Sequence, residues 1–153
     1  MKTIQELYTA DDMAVMRNAE HARMPGKNRV EEIKNYAKLS GIKKIGIANC
    51  ISMQKESDKL KTMLSTEFDV YSIDCKCGRV PSSEFAGADA KGVSCNPAAQ
   101  ADYLAEMNTE LNLSVGLCVG HDMVFSSKSK APTTTLIVKD REHHHNPIQS
   151  FKE

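Results

Sequence analysis

The chain has 153 residues, enough for a domain with its own hydrophobic core and no need of disulfides. Twenty Lys and Arg balance twenty Asp and Glu, so the sequence carries no long-range basic field that would attract nucleic acid or anionic lipid. The polar opening segment, residues 1–20, is typical of neither a signal peptide nor a membrane span, and we expect the chain to stay in the cytoplasm.

Two helices are predicted ahead of the first strand. Thr9 is a suitable N-cap for a helix that runs to about Arg23, because acidic residues follow it in the first turn. A second helix starts near Asn28, and Gly41 ends it. Both segments repeat apolar residues at helical spacing.

A βαβ unit comes next. Residues 43–50 contain a short run of Ile and Gly typical of a buried parallel strand, and residues 68–75 read as a second strand. Residues 56–67 between them form an amphipathic helix. Strands connected in this way pair in parallel with a right-handed crossover. The two predicted strands end at Cys50 and Cys75.

The same alternation continues to the end of the chain. Residues 76–94 are a Gly-, Ser- and Pro-rich loop of a length typical of functional loops. Asn96 caps the next helix, with Pro97 at its first position. Residues 113–120 and 133–140 are the third and fourth strands.

These elements predict a single α/β domain over residues 1–153. We expect a three-layer, Rossmann-like fold with a mostly parallel sheet of about four strands and flanking helices. Residues 1–27 would be an N-terminal helical extension and residues 28–147 the core. The methionines at helical spacing are expected to fill the core: Met13, Met16, Met63 and Met107.

All five cysteines fall at one predicted edge of the sheet. Ligands of open α/β sheets bind beyond the carboxyl ends of the parallel strands, and no predicted helix interior contains a cysteine. Thiolates suit zinc and iron–sulfur clusters, so we expect one of these two cofactors. The expected metal ligands are Cys50, Cys75, Cys77, Cys95 and Cys118, with Cys77 as a spare or exchange ligand. The residues expected to line the cofactor are Gly116, Gly120, Asn96 and His145.

A metal-free thiol enzyme is the alternative. The segment GLCVGHD has the G-x-C-x-G shape of a nucleophile elbow, in which Cys118 would attack and His121 would act as the base. Asp122 or Asp140 would orient that base, although the following segment, MVFSSKSKAP, is a poor helix. His145 could replace His121, and Cys75 with Cys77 could instead cycle as a dithiol.

A third reading is a binding module whose Gly-rich edge holds a small ligand. The expected partner is a small molecule or a redox partner, without nucleic acid or membrane, and a homodimer is left open. The His tract at residues 143–145 is as typical of a solvated tail as of a metal site.

The segments GIKKIGIANC, CNPAAQADYL, GLCVGHDMVFSSKSKAPTTTLIVKDR and HNP resemble a bacterial and archaeal family of uncharacterised proteins, a domain of unknown function. The resemblance covers about Arg29 to Pro147. Some members are described as metal-binding proteins, so the resemblance implies a metal site here. The residues that match the family are Cys50, Cys75, Cys95, Cys118, His121, Asp122, His145 and Asn146.

This chain departs from the family at two points. Cys77 is less typical of it. Family members commonly carry a cysteine-rich segment near the N-terminus, whereas the first 49 residues here contain no Cys. If that segment holds its own metal, the resemblance implies that this chain lacks that second centre.

Overall fold

A computed structural model describes residues 1–152. The backbone falls into two units, Met1–Lys43 and Lys44–Glu153. The first unit contains three helices among its described residues: α1 (Ile4–Leu7), α2 (Ala10–Ala22) and α3 (Arg29–Leu39).

The helix starts predicted for the first unit are confirmed. The Thr9 hydroxyl accepts the Asp12 N–H at 3.1 Å, and the Asp12 carboxylate accepts the Thr9 N–H at 2.8 Å. This reciprocal pair satisfies backbone donors that have no partner inside the helix. Asn28 caps α3 by accepting the Glu31 N–H at 3.0 Å.

The second unit is built on a parallel sheet. Within residues 44–152 the sheet has four strands, in the order β2-β1-β3-β4. The strands are β1 (Lys44–Asn49), β2 (Asp69–Asp74), β3 (Leu111–Val115) and β4 (Thr133–Ile137). The helices of this unit are α4 (Gln54–Leu64), α5 (Ser83–Ala86), α6 (Pro97–Glu106) and α7 (Val119–Lys128). Every pairing between neighbouring strands is parallel, and Asn49 pairs with both Asp74 and Val115.

Helices cover both faces of this sheet. Asn49 accepts a hydrogen bond from Ser57 of α4 at 3.1 Å, whereas Gly46 lies against Leu104 of α6. Successive strand residues point to opposite faces, so α4 and α6 lie on opposite sides of β1. Two helical layers around a parallel sheet confirm the predicted three-layer α/β fold, with all of β3 and β1 from Ile45 to Asn49 buried at its centre.

Three local predictions were wrong. The poor helix sequence after Cys118 forms α7, because burial of Phe125 compensates for its weak propensity. Strand β3 ends at Val115, so Cys118 lies at the N-cap of α7 rather than within a strand. Of the methionines expected in the core, Met13, Met16 and Met63 are 40–46% exposed. In α4 the buried stripe runs through Ser57, Leu60 and Leu64, which leaves Met63 on its flank.

No helix in the described part of the chain is both long and apolar enough to cross a bilayer.

Candidate functional site

The site is centred on the Cys75 sulfur at the carboxyl end of β2. Cys75 is 1% exposed. Its sulfur accepts the Ile51 N–H at 3.3 Å and the Cys95 S–H at 3.4 Å. Thus the segments after β1 and β2 and the start of α6 meet at one sulfur atom.

Backbone hydrogen bonds bring Cys95 to this position. The N–H of Asn96 donates to the Cys75 carbonyl at 2.8 Å, and the Asn96 side chain caps α6 by accepting the Ala99 N–H at 3.2 Å. Val93 forms an isolated antiparallel bridge with Pro81. The long loop therefore folds back on itself and returns Cys95 to the strand from which the loop departed.

Gln100 of α6 ties the ends of β1 and β2 together. Its amide nitrogen donates to the Asn49 carbonyl at 3.1 Å and to the Ile73 carbonyl at 3.0 Å. These carbonyls lie one and two residues before Cys50 and Cys75. The Gln100 side chain is fully buried, and its oxygen Oε1 has no hydrogen-bond partner among the described residues.

Cys50 lies next to a positive charge. Its sulfur is 3.2 Å from the Ser52 hydroxyl, which in turn accepts a hydrogen bond from the Lys139 ammonium at 2.6 Å. Burial opposes ionisation of the thiol. The hydrogen bonds from Ser52, together with the Lys139 charge, outweigh that burial and lower the pKa of Cys50.

The pKa values of Cys75 and Cys77 are shifted in the opposite direction. Burial raises the pKa of Cys75 to about 12, with further contributions from Cys95 and Cys50. Burial, and then the nearby Asp74 carboxylate, raises the pKa of Cys77. Without a bound cation, Cys75 therefore stays protonated at neutral pH and is a poor nucleophile.

The structure brings part of the predicted cysteine cluster together. Cys75 and Cys95 are in contact, and electrostatic interactions link Cys50 to Cys75 and Cys77 to Cys95. No group of three or more His, Cys, Asp or Glu side chains in residues 1–152 is arranged to hold a metal ion. The metal site of the five cysteines therefore stays a prediction.

Cys118 has a different neighbour. Its sulfur accepts a hydrogen bond from the Arg141 guanidinium at 3.2 Å, and none of the sulfur–sulfur interactions found in residues 1–152 includes it. Asp122 accepts hydrogen bonds from Ser114 at 2.5 Å and Thr135 at 3.4 Å, so its carboxylate faces the sheet. The proposed roles of Cys118 and Asp122 in an elbow stay predictions.

The remaining predicted site residues are Gly116, Gly120 and His145. Gly116 has φ +65°, and a Cβ there would lie 2.5 Å from the Met53 side chain, so glycine permits the close approach of these two loops. A Cβ at Gly120 would meet nothing within 4 Å. The His145 ring accepts the Asp140 N–H at 3.1 Å within the turn that follows β4.

His121 and Cys95 both line a cavity of about 290 Å³ between the start of α6 and α7. The other lining residues are Phe85, Ser94, Asn96, Pro97, Ala98 and Val124. The sequence analysis predicted that His121 acts as a base for Cys118, three residues away, and gave no indication that His121 shares a cavity with Cys95.

The sequence analysis also missed Ser52, Lys139 and Arg141. Lys139 and Arg141 follow β4 at the same carboxyl edge as the cysteines. The cysteines were selected because ligands bind beyond the carboxyl ends of parallel strands. The same reasoning, applied to charged residues, would have selected Lys139 and Arg141.

The comparisons with known proteins identify the family. The profile of a family described as "Protein of unknown function (DUF1847)" matches residues 1–136. The chain belongs to this family. An uncharacterized protein of Methanocaldococcus jannaschii is 48% identical over 124 residues, which are 78% of this chain and 64% of the relative. The chain therefore spans a little under two thirds of that relative's length. No solved structure matches the chain.

The family match confirms the predicted resemblance to a family of uncharacterised proteins, but the residues that it covers differ from those predicted. It starts at residue 1 instead of Arg29 and ends before His145 and Asn146. The metal-binding description and the roles of the matched motif residues stay predictions.

Proposed function

We propose that the chain binds a single soft metal ion through Cys75 and Cys95, with Cys50 and Cys77 completing the ligand set. The contact between the Cys75 and Cys95 sulfurs carries the proposal. In a tetrahedral zinc site with Zn–S bonds of about 2.3 Å, neighbouring sulfurs lie about 3.8 Å apart. The observed 3.4 Å separation is close to that spacing.

To complete the ligand set, Cys50 and Cys77 would have to leave their present hydrogen bonds. The Cys50 sulfur contacts Ser52 at 3.2 Å, and the Cys77 sulfur contacts the Asn96 carbonyl at 3.6 Å. Thiols are weak hydrogen-bond partners, so giving up both contacts costs about 1–2 kcal/mol. A structural zinc ion binds with roughly 10–16 kcal/mol, which exceeds that cost.

The surroundings of Cys75 also support a bound ion. The Ile51 N–H donates directly to its sulfur, and such a donor stabilises a thiolate once a metal has displaced the proton. The ligands come from three separate segments of the fold. The site would therefore form only after the sheet and the loop have folded.

Metal analysis of anaerobically purified protein tests the proposal. We expect stoichiometric metal in the wild type, and a loss of most of it in Cys75→Ser. Cys118→Ser is the matched control and should keep its metal, because its sulfur contacts Arg141 instead. Metal-free wild-type protein would overturn the proposal, as would equal losses in the two variants. A brown protein that also contains inorganic sulfide would indicate an iron–sulfur cluster instead of a single ion.

A reactive Cys118 is the second candidate. The specific observation is the Arg141 guanidinium 3.2 Å from a sulfur that lies at the N-cap of a ten-residue helix. A cation and the N-terminus of a helix both stabilise negative charge that develops near them during a reaction. This arrangement suits a thiol enzyme that uses Cys118 without a metal.

Iodoacetamide labelling, followed by peptide mass spectrometry, distinguishes this candidate. Cys118 should be labelled fastest of the cysteines, and Arg141→Met should slow it severalfold. The exposed Arg17→Met change is the control. Uniformly slow labelling of all cysteines would count against a reactive Cys118.

A further inference from the structure

The cavity between the start of α6 and α7 is small and has an apolar lining on several sides. Its volume of about 290 Å³ is just below the range that is usual for small-molecule sites. Phe85, Pro97, Ala98 and Val124 supply the apolar lining. The space therefore suits a ligand of a few carbon atoms better than a nucleotide or a peptide.

Two of the four polar side chains that line the cavity are already engaged. The Asn96 side-chain oxygen caps α6, and a Cβ built at Gly78 would lie 3.4 Å from the Asn96 amide nitrogen, so Gly78 occupies the space beside that nitrogen. Cys95 donates its S–H to the Cys75 sulfur at 3.4 Å. Neither side chain is the first choice of a ligand head group.

The other two polar side chains are Ser94 and His121. Both are half-buried, and neither side chain has a hydrogen bond or ion pair within residues 1–152. The backbone holds Ser94 in place, because its N–H donates to the Val80 carbonyl at 2.8 Å. A hydroxyl can donate one hydrogen bond, and an imidazole carries at least one N–H in either tautomer. A head group in this cavity therefore has two hydrogen-bond donors within the same wall.

The charges around the cavity favour an anionic head group. Within residues 1–152 no Asp or Glu lines it, so a bound ammonium group would find no counter-charge there. Asp122 follows His121 in the chain, but its carboxylate faces the sheet. The Lys76 ammonium donates to the Val93 carbonyl at 2.7 Å, which places a positive charge one residue from Ser94.

We infer that this cavity binds a short-chain monocarboxylate, with its hydrocarbon chain against Phe85 and Val124 and its carboxylate toward Ser94 and His121. The two carboxylate oxygens can accept from both donors. Hydrogen bonds to an ionised acceptor are about twice as strong as those between neutral groups, which favours the acid over an alcohol of the same length. The binding makes and breaks no covalent bond, and it does not depend on the proposed metal centre.

Ligand-observed NMR on the full chain tests the inference with matched probes. Butyrate, 1-butanol and butylamine have the same number of carbon atoms and differ in the head group, whereas acetate keeps the carboxylate and loses most of the chain. We expect butyrate to bind saturably and about tenfold more tightly than each of the others. Equal or tighter binding of 1-butanol or butylamine would show that the carboxylate is not selected. Equal binding of acetate would show that the apolar lining is not used. Any of these results, or no saturable binding of butyrate, would overturn the inference.

Two variants test the donors assigned to the carboxylate. Ser94→Ala and His121→Leu each remove one donor, and each should weaken butyrate binding about tenfold. The matched controls are Ser126→Ala and His21→Leu, at exposed positions that do not line the cavity. His121→Gln keeps an N–H donor and should lose less affinity than His121→Leu. Equal effects of the site and control changes would overturn the assignment of the donors.

A third variant tests the apolar lining. Val124→Ser should weaken butyrate binding about fivefold and leave acetate binding unchanged. Met123→Ser is its control, because Met123 is 65% exposed and does not line the cavity. Equal losses in these two variants would refute the placement of the hydrocarbon chain.

Metal content measured on the same samples keeps the two proposals apart. Metal-free protein that binds butyrate would refute the metal centre and support the carboxylate site. Metal-loaded protein that does not bind butyrate would refute the carboxylate site and leave the metal centre intact.

Discussion

Replacing Gln100 by Met tests whether its amide holds the two cysteine-bearing strand ends together. Methionine has a similar length and keeps the apolar contacts, but it cannot donate to the Asn49 and Ile73 carbonyls. Leaving the buried Asn49 carbonyl and the half-buried Ile73 carbonyl without this donor costs about 1–3 kcal/mol each. Removing the unpartnered oxygen Oε1 returns about 1–3 kcal/mol. The expected net loss is therefore about 1–3 kcal/mol.

Urea unfolding followed by circular dichroism measures this loss. We expect the midpoint to fall while the slope of the transition is unchanged, since the fold should be the same. Gln5→Met, a change at an exposed position, should stay within about 0.5 kcal/mol of the wild type. Iodoacetamide should also label Cys75 faster in Gln100→Met, because the strand end that buries it is no longer tied to α6.

A second variant, Gln100→Glu, tests the same role of the amide through the pH dependence of stability. Gln100→Glu places a carboxylate against two carbonyl oxygens in a buried site, so the folded state should raise its pKa. The variant should therefore be less stable than Gln100→Met at pH 7 and should recover relative to it as the pH falls and the carboxyl is protonated. Wild-type stability in Gln100→Met, or no pH dependence of the difference between the variants, would refute the role given to this amide.

Two further predictions concern Cys50 and the packing of the sheet. Because its pKa is lowered, Cys50 of metal-free protein should reach its half-maximal labelling rate below the pH expected of a free thiol, about 8.5, and Ser52→Ala should move that point upward; an unchanged profile in Ser52→Ala would contradict the hydrogen-bond explanation. Gly46→Ala should destabilise the protein by about 2–4 kcal/mol, because its Cβ would collide with Asn112 and lie 2.8 Å from Leu104. Thermal unfolding measures that loss, and a wild-type melting temperature would show that α6 can move away from the sheet.

Local sequence signals determined much of the secondary structure. Thr9 and Asn96 cap helices where predicted, and a helix starts after Asn28 as predicted, because an N-cap acts through hydrogen bonds to residues two or three positions away. The strands that end beside Cys50 and Cys75 were equally predictable, since two short segments of strand-forming residues joined by an amphipathic helix are typical of a parallel βαβ unit. The placement of these cysteines at the carboxyl edge followed from strand direction alone.

Only the tertiary structure decided which side chains meet at that edge. Cys95 rather than Cys77 contacts Cys75, because the hydrogen bond from Asn96 to the Cys75 carbonyl closes a loop that has no sequence period. Helix α7 forms because Phe125 is buried, although local propensity disfavours a helix there. The pairing of Lys139 with Ser52 joins residues 87 positions apart. Such contacts depend on the path of the whole chain, whereas caps and strand patterns depend only on near neighbours.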